Sequence, residues 1–150
     1  MLYVKNMRVF IDTNVIIDFY DKRIDFYLPA SQIFELAKKD AFEMAVSGIS
    51  FVNAFCLLRK SYSKEELYNL LNGLSKLCKI APVGEKEIKE GLALFGKDFE
   101  DSVQYKSAIS TNADVIVTRN KKDFDSFNLK VMTPIEFLDD FFAKKQTQQK

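Results

Sequence analysis

The sequence contains no histidine and no tryptophan, and it has two cysteines, three prolines and five glycines. Without histidine there is no imidazole for a Ser/His/Asp or Cys/His nucleophile pair, for an HExxH zinc site or for histidine acid–base catalysis. Any catalysis by this chain must therefore rest on carboxylates, lysine, hydroxyls, cysteine or a metal ion held by oxygen ligands.

The sequence also lacks an excess of charge of either sign, because it has 22 Lys and Arg and 21 Asp and Glu, for a net charge of +1. This balance excludes a histone-like nucleic-acid binder and an acidic tail protein, so an anion-binding surface has to be a local patch. The length of 150 residues is that of one domain.

Long hydrophobic runs and cysteine motifs are absent as well. Cys56 and Cys78 lie in apolar surroundings without CxxC spacing, which predicts buried, reduced thiols. Residues 1–10 lack the apolar segment of a signal peptide, and no apolar run approaches about 18 residues. These features predict a cytoplasmic protein with no membrane segment.

Hydrophobic periodicity predicts five short strands separated by helical segments. The strands are expected at residues 7–11, 42–47, 78–82, 115–117 and 130–132. The helices are expected at residues 15–20, 29–39, 51–60, 64–75, 84–94, 99–110 and 135–142. This order predicts an α/β fold, a three-layer α/β/α sandwich with a central, mostly parallel five-stranded sheet. Residues 1–143 are expected to form a single domain, and 144–150 a disordered polar tail.

Carboxylates follow the predicted strands, where sites form in open α/β sheets. Asp12 ends the first strand, and Asp123 lies in the loop after the strand that ends at Val117. Asp98 and Asp101 flank the start of a helix with i,i+3 spacing, which places both on one face. If these four acids meet at one edge of the sheet, they repel one another unless a cation neutralises them.

Clustered oxygen ligands without histidine favour Mg²⁺ or Mn²⁺ over zinc. Because such ions also bind phosphates, the natural reaction is metal-assisted phosphodiester hydrolysis. Each acid also has a purely structural interpretation. Asp12, with Thr13 and Asn14, is a helix cap, and Asp98, Glu100 and Asp101 are acids that complement a helix dipole. Asp123 beside lysines is a solvated ion pair.

Four segments resemble the PIN-domain nucleases, a family that includes the VapC-like toxins of bacterial toxin–antitoxin pairs. They are RVFIDTNVIIDF at 8–19, DFEDSVQYKSAI at 98–109, ADVIVTRNKKDF at 113–124 and VMTPIEFL at 131–138, in the family's order. The resemblance implies a metal-dependent ribonuclease selective for single-stranded RNA, built on a five-stranded parallel sheet. A toxin-type member of this family would be bound by an antitoxin protein.

Carried over by position, the resemblance implies catalytic, metal-holding roles for Asp12, Asp101 and Asp123. Asp98 lies next to the site and is the fourth candidate metal ligand. Asn120 occupies a place where other members have an acid, and Thr118 would orient its neighbours through its hydroxyl. Thr13 and Asn14 complete the supporting set. The chain departs from the pattern at Asn53, where the family usually has a glutamate. The neutral amide lowers the site's negative charge, so a catalytically weak RNA- or protein-binding module is the alternative function.

Two further surfaces concern partners. The cations expected to contact RNA are Arg59, Lys60, Arg119, Lys121 and Lys122. Aromatic residues cluster at 19–27 and at 137–142, where they either fill the core or form a homodimer seam or a groove for the amphipathic helix of a partner such as an antitoxin. Two enzymes with Asp12 as the phosphorylated nucleophile fit poorly. A phosphatase of the haloacid-dehalogenase type needs a second acid where this chain has Asn14, and a receiver needs paired acids at the first strand.

Overall fold

A single sheet of five parallel strands forms the centre of the molecule, as seen in a computed structural model that describes residues 7–124 and 126–149. The strands, in the spatial order β3-β2-β1-β4-β5, are β1 (Arg8–Ile11), β2 (Glu43–Ser47), β3 (Lys79–Ala81), β4 (Val115–Val117) and β5 (Val131–Met132). The predicted fold class is therefore confirmed. Residues 1–6 and 150, which the sequence analysis assigned to the domain and its tail, lie outside the described residues.

Seven α-helices of the described residues cover the two faces of the sheet. They are α1 (Thr13–Tyr20), α2 (Tyr27–Lys38), α3 (Gly48–Leu58), α4 (Lys64–Leu77), α5 (Glu85–Leu94), α6 (Phe99–Ser110) and α7 (Pro134–Gln149), and a short 3-10 helix spans Lys121–Phe124. Helices α1, α2, α3, α4 and α7 pack on one face, whereas α6 packs on the other and is covered by α5.

The two cores follow from the alternation of side chains along the central strands. Val9 and Ile11 of β1 enter the larger core, and Phe10 between them enters the smaller core with Ile116 of β4. All four side chains are completely buried. Strands that are buried on both faces read as continuous apolar runs, which is why β1 and β4 were the clearest strands in the sequence.

Helix starts bring polar groups to the carboxyl edge of the sheet. Asp12 caps α1 directly after β1. Ser47, the last residue of β2, caps α3, and its side chain accepts from the amide of Ile49. Asp98 caps α6 by accepting from the amide of Asp101 at 3.0 Å. Since a helix N-terminus presents unpaired N–H groups, this edge favours negatively charged groups.

Two helix ends differ from the sequence-based expectation by more than two residues. Helix α3 begins at Gly48 rather than at residue 51, because Ser47 caps it three residues earlier than the apolar spacing indicated. Helix α7 continues to Gln149 rather than ending at residue 142, so it runs through most of the segment expected to be a disordered tail. The segment has no glycine or proline to end a helix, and Lys144 pairs with Asp140 one turn earlier at 3.0 Å. The domain boundary at residue 143 stays a prediction.

The expectation that both cysteines are buried is wrong for Cys56. Cys78 is half-buried, but Cys56 is exposed, because its side of α3 does not face the core.

Phe137 and Phe141 are buried in the core with Phe42, so the C-terminal aromatic cluster mainly fills the core. None of the helices in the described part of the chain combines the length and the apolar character needed to cross a membrane.

A close helix contact generates the first prediction. A Cβ added at Gly91 of α5 would lie 2.9 Å from Val103 Cγ2 and 3.4 Å from the Val103 amide nitrogen on α6. We expect Gly91→Ala to lower the free energy of unfolding by about 1–3 kcal/mol, because the clash forces the two helices apart. Urea denaturation measures the change.

The matched control is Gly73→Ala on α4, where an added Cβ meets nothing within 4 Å. This variant is expected to gain about 0.5–1 kcal/mol from the higher helix propensity of alanine. If both variants gain stability, the described contact between α5 and α6 is wrong.

Candidate active site

A cavity of about 490 Å³ opens at the carboxyl edge of the sheet, where α1, α3, α6 and the 3-10 helix converge. Eight of the predicted residues line it: Asp12, Thr13, Asn14, Asn53, Asp98, Asp101, Asn120 and Asp123. The four acids thus come from three separate segments of the chain and share one cavity. Thr118 lies behind the wall, completely buried.

Asp12 is the buried acid of the cavity, with 8% of its surface exposed. One carboxylate oxygen accepts from the Thr13 amide at 2.8 Å, and the other accepts from Asn14 Nδ2 at 3.0 Å and from Thr118 Oγ1 at 2.8 Å. Burial raises the pKa of Asp12 to about 6, although the hydrogen bonds from Thr118 and Thr13 oppose that rise. The same three donors fix the orientation of the carboxylate.

Thr118 connects this carboxylate to the loop after β4. Its hydroxyl donates to Asp12 and accepts from Asn14 Nδ2 at 3.3 Å and from the amide of Asn120 at 3.1 Å. Asn14 Oδ1 accepts from the amide of Arg119 at 3.3 Å. These bonds attach the loop that carries Asn120 and Asp123 to the end of β1.

Asp101 stands in the first turn of α6, half-buried between other acids. Burial, followed by the charges of Asp98, Asp12, Asp123 and Glu100, raises the pKa of Asp101 to about 7. One carboxylate oxygen from each of Asp98, Glu100 and Asp101 lies within 4.8 Å of the other two. The free site therefore concentrates negative charge, and a bound cation would relieve the repulsion.

Glu100 is an acid of the cavity that the sequence analysis did not assign to the site. It was interpreted as a first-turn acid complementing the helix dipole, yet it lines the cavity and accepts a hydrogen bond from Asn53 Nδ2. Arg23 and Cys56 also line the cavity and were not predicted. The only signal for Glu100 was its position beside Asp101, and a dipole-complementing acid has the same position.

A buried polar network beneath the cavity joins three helices. Gln104 of α6 is 1% exposed, and its Nε2 donates to Ser50 Oγ at 3.0 Å and to Thr13 Oγ1 at 3.2 Å. The hydroxyl oxygens of Thr13 and Ser50 are hydrogen-bonded to each other at 2.6 Å. Buried networks of this kind hold their members in one arrangement. The network thereby joins α1, which Asp12 caps, to α3, which carries Asn53, and to α6, which carries Asp101.

The predicted RNA-contacting cations have different surroundings. Arg119 binds the buried Asp18 through two bonds of 2.6 and 3.3 Å, and its guanidinium lies 4.1 Å from the centre of the Phe26 ring. Lys121 pairs with Glu136 at 3.2 Å. Lys122 lines a second cavity of about 610 Å³, which shares Asp98, Asp101 and Asp123 with the first. Arg59 and Lys60 are exposed at the end of α3.

The donor set fits a hard divalent cation. The carboxylates of Asp12, Asp98, Asp101 and Asp123 could supply oxygen ligands, the amides of Asn53 and Asn120 could offer neutral oxygens, and the chain has no histidine. Oxygen-rich sites of this kind suit Mg²⁺, Mn²⁺ or Ca²⁺. The arrangement can hold a hydrated cation beside a phosphate group.

Comparison with known proteins identifies relatives over most of the chain. The sequence profile of the PIN domain family matches residues 8–122. Ribonuclease VapC1 of Aquifex aeolicus (strain VF5) is 28% identical over 135 residues, an alignment that covers 87% of this chain and 92% of that protein.

Solved structures show the same fold. A toxin–antitoxin complex from Klebsiella pneumoniae superposes with a TM-score of 0.64 at 23% identity, covering 84% of this chain and 97% of that one. VapBC-1 from nontypeable Haemophilus influenzae gives 0.65 at 19% identity, covering 86% and 99%. At these identities the likeness concerns the fold.

The raised pKa values of Asp12 and Asp101 predict how stability depends on pH. In both cases the folded chain binds the proton more tightly than the unfolded chain does, so the stabilisation is complete near pH 4 and is lost as pH rises towards 7. We expect the metal-free protein to be more stable at pH 5 than at pH 7.5, by about 1 kcal/mol or more. Urea denaturation in EDTA at the two pH values tests this.

Asp101→Asn is the matched variant, because it removes one of the two titrating groups. Its stability should change less between pH 5 and pH 7.5 than that of the wild type. A wild-type protein whose stability rises over this interval contradicts the described burial and crowding of the acids.

Arg119 yields a separate prediction about stability. Because Asp18 is 1% exposed, Arg119→Ala leaves a buried carboxylate whose remaining cationic partner among the described residues is Arg23, at 3.8 Å. We expect a loss of about 2–4 kcal/mol in thermal or urea unfolding. Lys121→Ala, which breaks an exposed pair, should change stability by less than about 1 kcal/mol. Equal, small losses would mean that Arg119 is not needed to compensate Asp18.

Proposed function

Since this chain belongs to the PIN domain family, we propose that it is a metal-dependent endoribonuclease that hydrolyses phosphodiester bonds of single-stranded RNA. The observation that carries the proposal is the convergence of Asp12, Asp101 and Asp123, from three segments of the chain, on one cavity. The relative Ribonuclease VapC1 supports an RNA substrate. Mg²⁺ or Mn²⁺ is the cofactor that fits the oxygen donor set.

The residues of the cavity would have different roles in this reaction. Asp12, Asp101 and Asp123 would hold the cation, with Asp98 at its side and with Asn120 able to offer an amide oxygen. Thr118 and Asn14 orient the Asp12 carboxylate by donating to it. When bound, the cation supplies Lewis acidity and a water of lowered pKa. The chain itself contributes the geometry that brings these side chains to one cavity.

The RNA backbone needs cations near this cavity. Lys122 is the best placed of the predicted set, because it lines the second cavity together with Asp98 and Asp123. Arg23 lies at the first cavity and adds a positive group that was not foreseen. Arg59 and Lys60 at the end of α3, together with Lys121, would extend this RNA-binding surface. Arg119 forms an ion pair with Asp18 instead. An RNA substrate is consistent with action in the cytoplasm.

We propose a toxin-type role with an antitoxin protein as partner, because the structural relatives are described as toxin–antitoxin and VapBC complexes. An open groove of about 630 Å³ offers a surface for such a partner, lined by aromatic residues of α1 and α2 and by three lysines. The lysines are Lys22, Lys38 and Lys76. This groove suits an amphipathic helix with acidic flanks. Homodimer formation stays a prediction.

The second candidate function is a catalytically weak RNA- or protein-binding module. Asn53 favours it, because a neutral amide lines the cavity where the family has a glutamate. The two functions differ in one measurable respect, since only the nuclease needs a divalent cation for its action on RNA. Cleavage of a labelled single-stranded RNA with Mn²⁺ and with EDTA therefore separates them.

Asp101→Asn is the variant that tests the nuclease. We expect it to slow Mn²⁺-dependent cleavage by roughly 100-fold or more, because it removes a charge from the centre of the site. Asp139→Asn on α7, an exposed acid outside the cavity, is the control and should cleave at the wild-type rate. Wild-type cleavage by Asp101→Asn would overturn the site, and a wild type that binds RNA without cleaving it would favour the module.

A further inference from the structure

Asn53 and Glu100 meet across the cavity although they are 47 positions apart in the chain. Asn53 projects from α3 and Glu100 from the first turn of α6, and Asn53 Nδ2 donates to Glu100 Oε2. Both side chains line the cavity that holds Asp12 and Asp101. Asn53, which departs from the family pattern, thus contacts Glu100, an acid to which that pattern assigns no role.

The chemistry of this contact requires one amide and one acid. An ionised carboxylate only accepts hydrogen bonds, so the amide nitrogen of Asn53 has to face Glu100. A glutamate at position 53 would place a second carboxylate against Glu100, and the two like charges would repel. Asn53 is therefore complementary to Glu100, and the neutral residue does not by itself mean that the cavity has lost an acid.

The hydrogen-bonded carboxylate of Glu100 also lies close to two other acids of the cavity. A first-turn acid usually extends into solvent, where it complements the helix dipole. Glu100 instead places a carboxylate oxygen within 4.8 Å of oxygens from Asp98 and Asp101. Oxygen ligands lie about 2.0–2.6 Å from Mg²⁺ or Ca²⁺, so two oxygens on one ion are at most about 4–5 Å apart. The spacing of the three acids matches a shared cation.

We propose that Glu100 is a ligand of the divalent cation and that Asn53 is its positioning residue, so this chain carries on α6 the acid that the family pattern has on α3. The inference rests on the proposed metal-dependent function. It restores the acid whose absence at Asn53 favoured the non-catalytic module.

Mn²⁺ binding to the full-length protein, measured by isothermal titration calorimetry, tests the assignment without any RNA. Glu100→Gln should weaken Mn²⁺ binding about 10-fold or more, because a charged ligand becomes neutral. The control is Glu65→Gln, since Glu65 is the second residue of α4 as Glu100 is the second residue of α6. Melting temperatures in EDTA check that both variants are folded, and Glu65→Gln, whose side chain does not line the cavity, should keep wild-type affinity for Mn²⁺.

Two variants of Asn53 complete the experiment. Asn53→Ala removes the donor and should weaken Mn²⁺ binding by a smaller factor than Glu100→Gln does. Asn53→Glu added to Glu100→Gln moves the acid back to α3 and should restore most of the lost affinity. Recovery in this double variant would support an exchange of the acid between the two helices.

Two results overturn the inference in distinguishable ways. If Glu100→Gln binds Mn²⁺ as the wild type does while Asp101→Asn loses binding, Glu100 is not a ligand and the metal-dependent function stands. If the folded wild type binds no Mn²⁺ at millimolar concentration, the metal-dependent function fails and this inference fails with it.

Discussion

The burial of one carboxylate, that of Asp12 at the carboxyl end of the central strand, is the constraint on which the site depends. A buried acid is costly unless donors surround it, and here an amide, a side-chain amide and a hydroxyl do so. Two of the donors belong to α1 and the third belongs to the loop after β4. The position of α1, the direction of that loop and the orientation of the acid are therefore determined together.

The parallel sheet explains why the remaining acids come to the same place. With β1 in the middle of the order β3-β2-β1-β4-β5, the segments that leave β1, β2 and β4 all emerge at one edge. The network of Gln104, Thr13 and Ser50 then fixes α6 against α1 and α3, which sets Asp101 opposite Asp12. Burial, followed by the charges of the neighbouring acids, raises the pKa of Asp101, and a bound cation would offset the repulsion between these acids.

Much of the fold and of the acidic site could be predicted from sequence, because both follow from local signals. The buried strands β1 and β4 are continuous apolar runs, and Asp12 and Asp98 stand where helix caps and strand ends coincide. Residues whose roles depend on long-range contacts were not predictable. The apolar neighbours of Cys56 suggested burial, yet its side of α3 faces the cavity. The sequence suggested that Arg119 is a cation available to RNA, but in the structure it donates to Asp18, which is 101 positions away in the chain.

The central claim is that the acids of this chain, Glu100 included, form one cation site. A crystal of the full-length protein soaked in Mn²⁺ and measured for anomalous scattering tests it most directly, because the signal locates the ion without reference to activity. The account predicts an anomalous peak in the cavity within coordination distance of Asp12, Asp101 and Glu100. A map of the folded protein with no peak in this cavity at millimolar Mn²⁺ would contradict it.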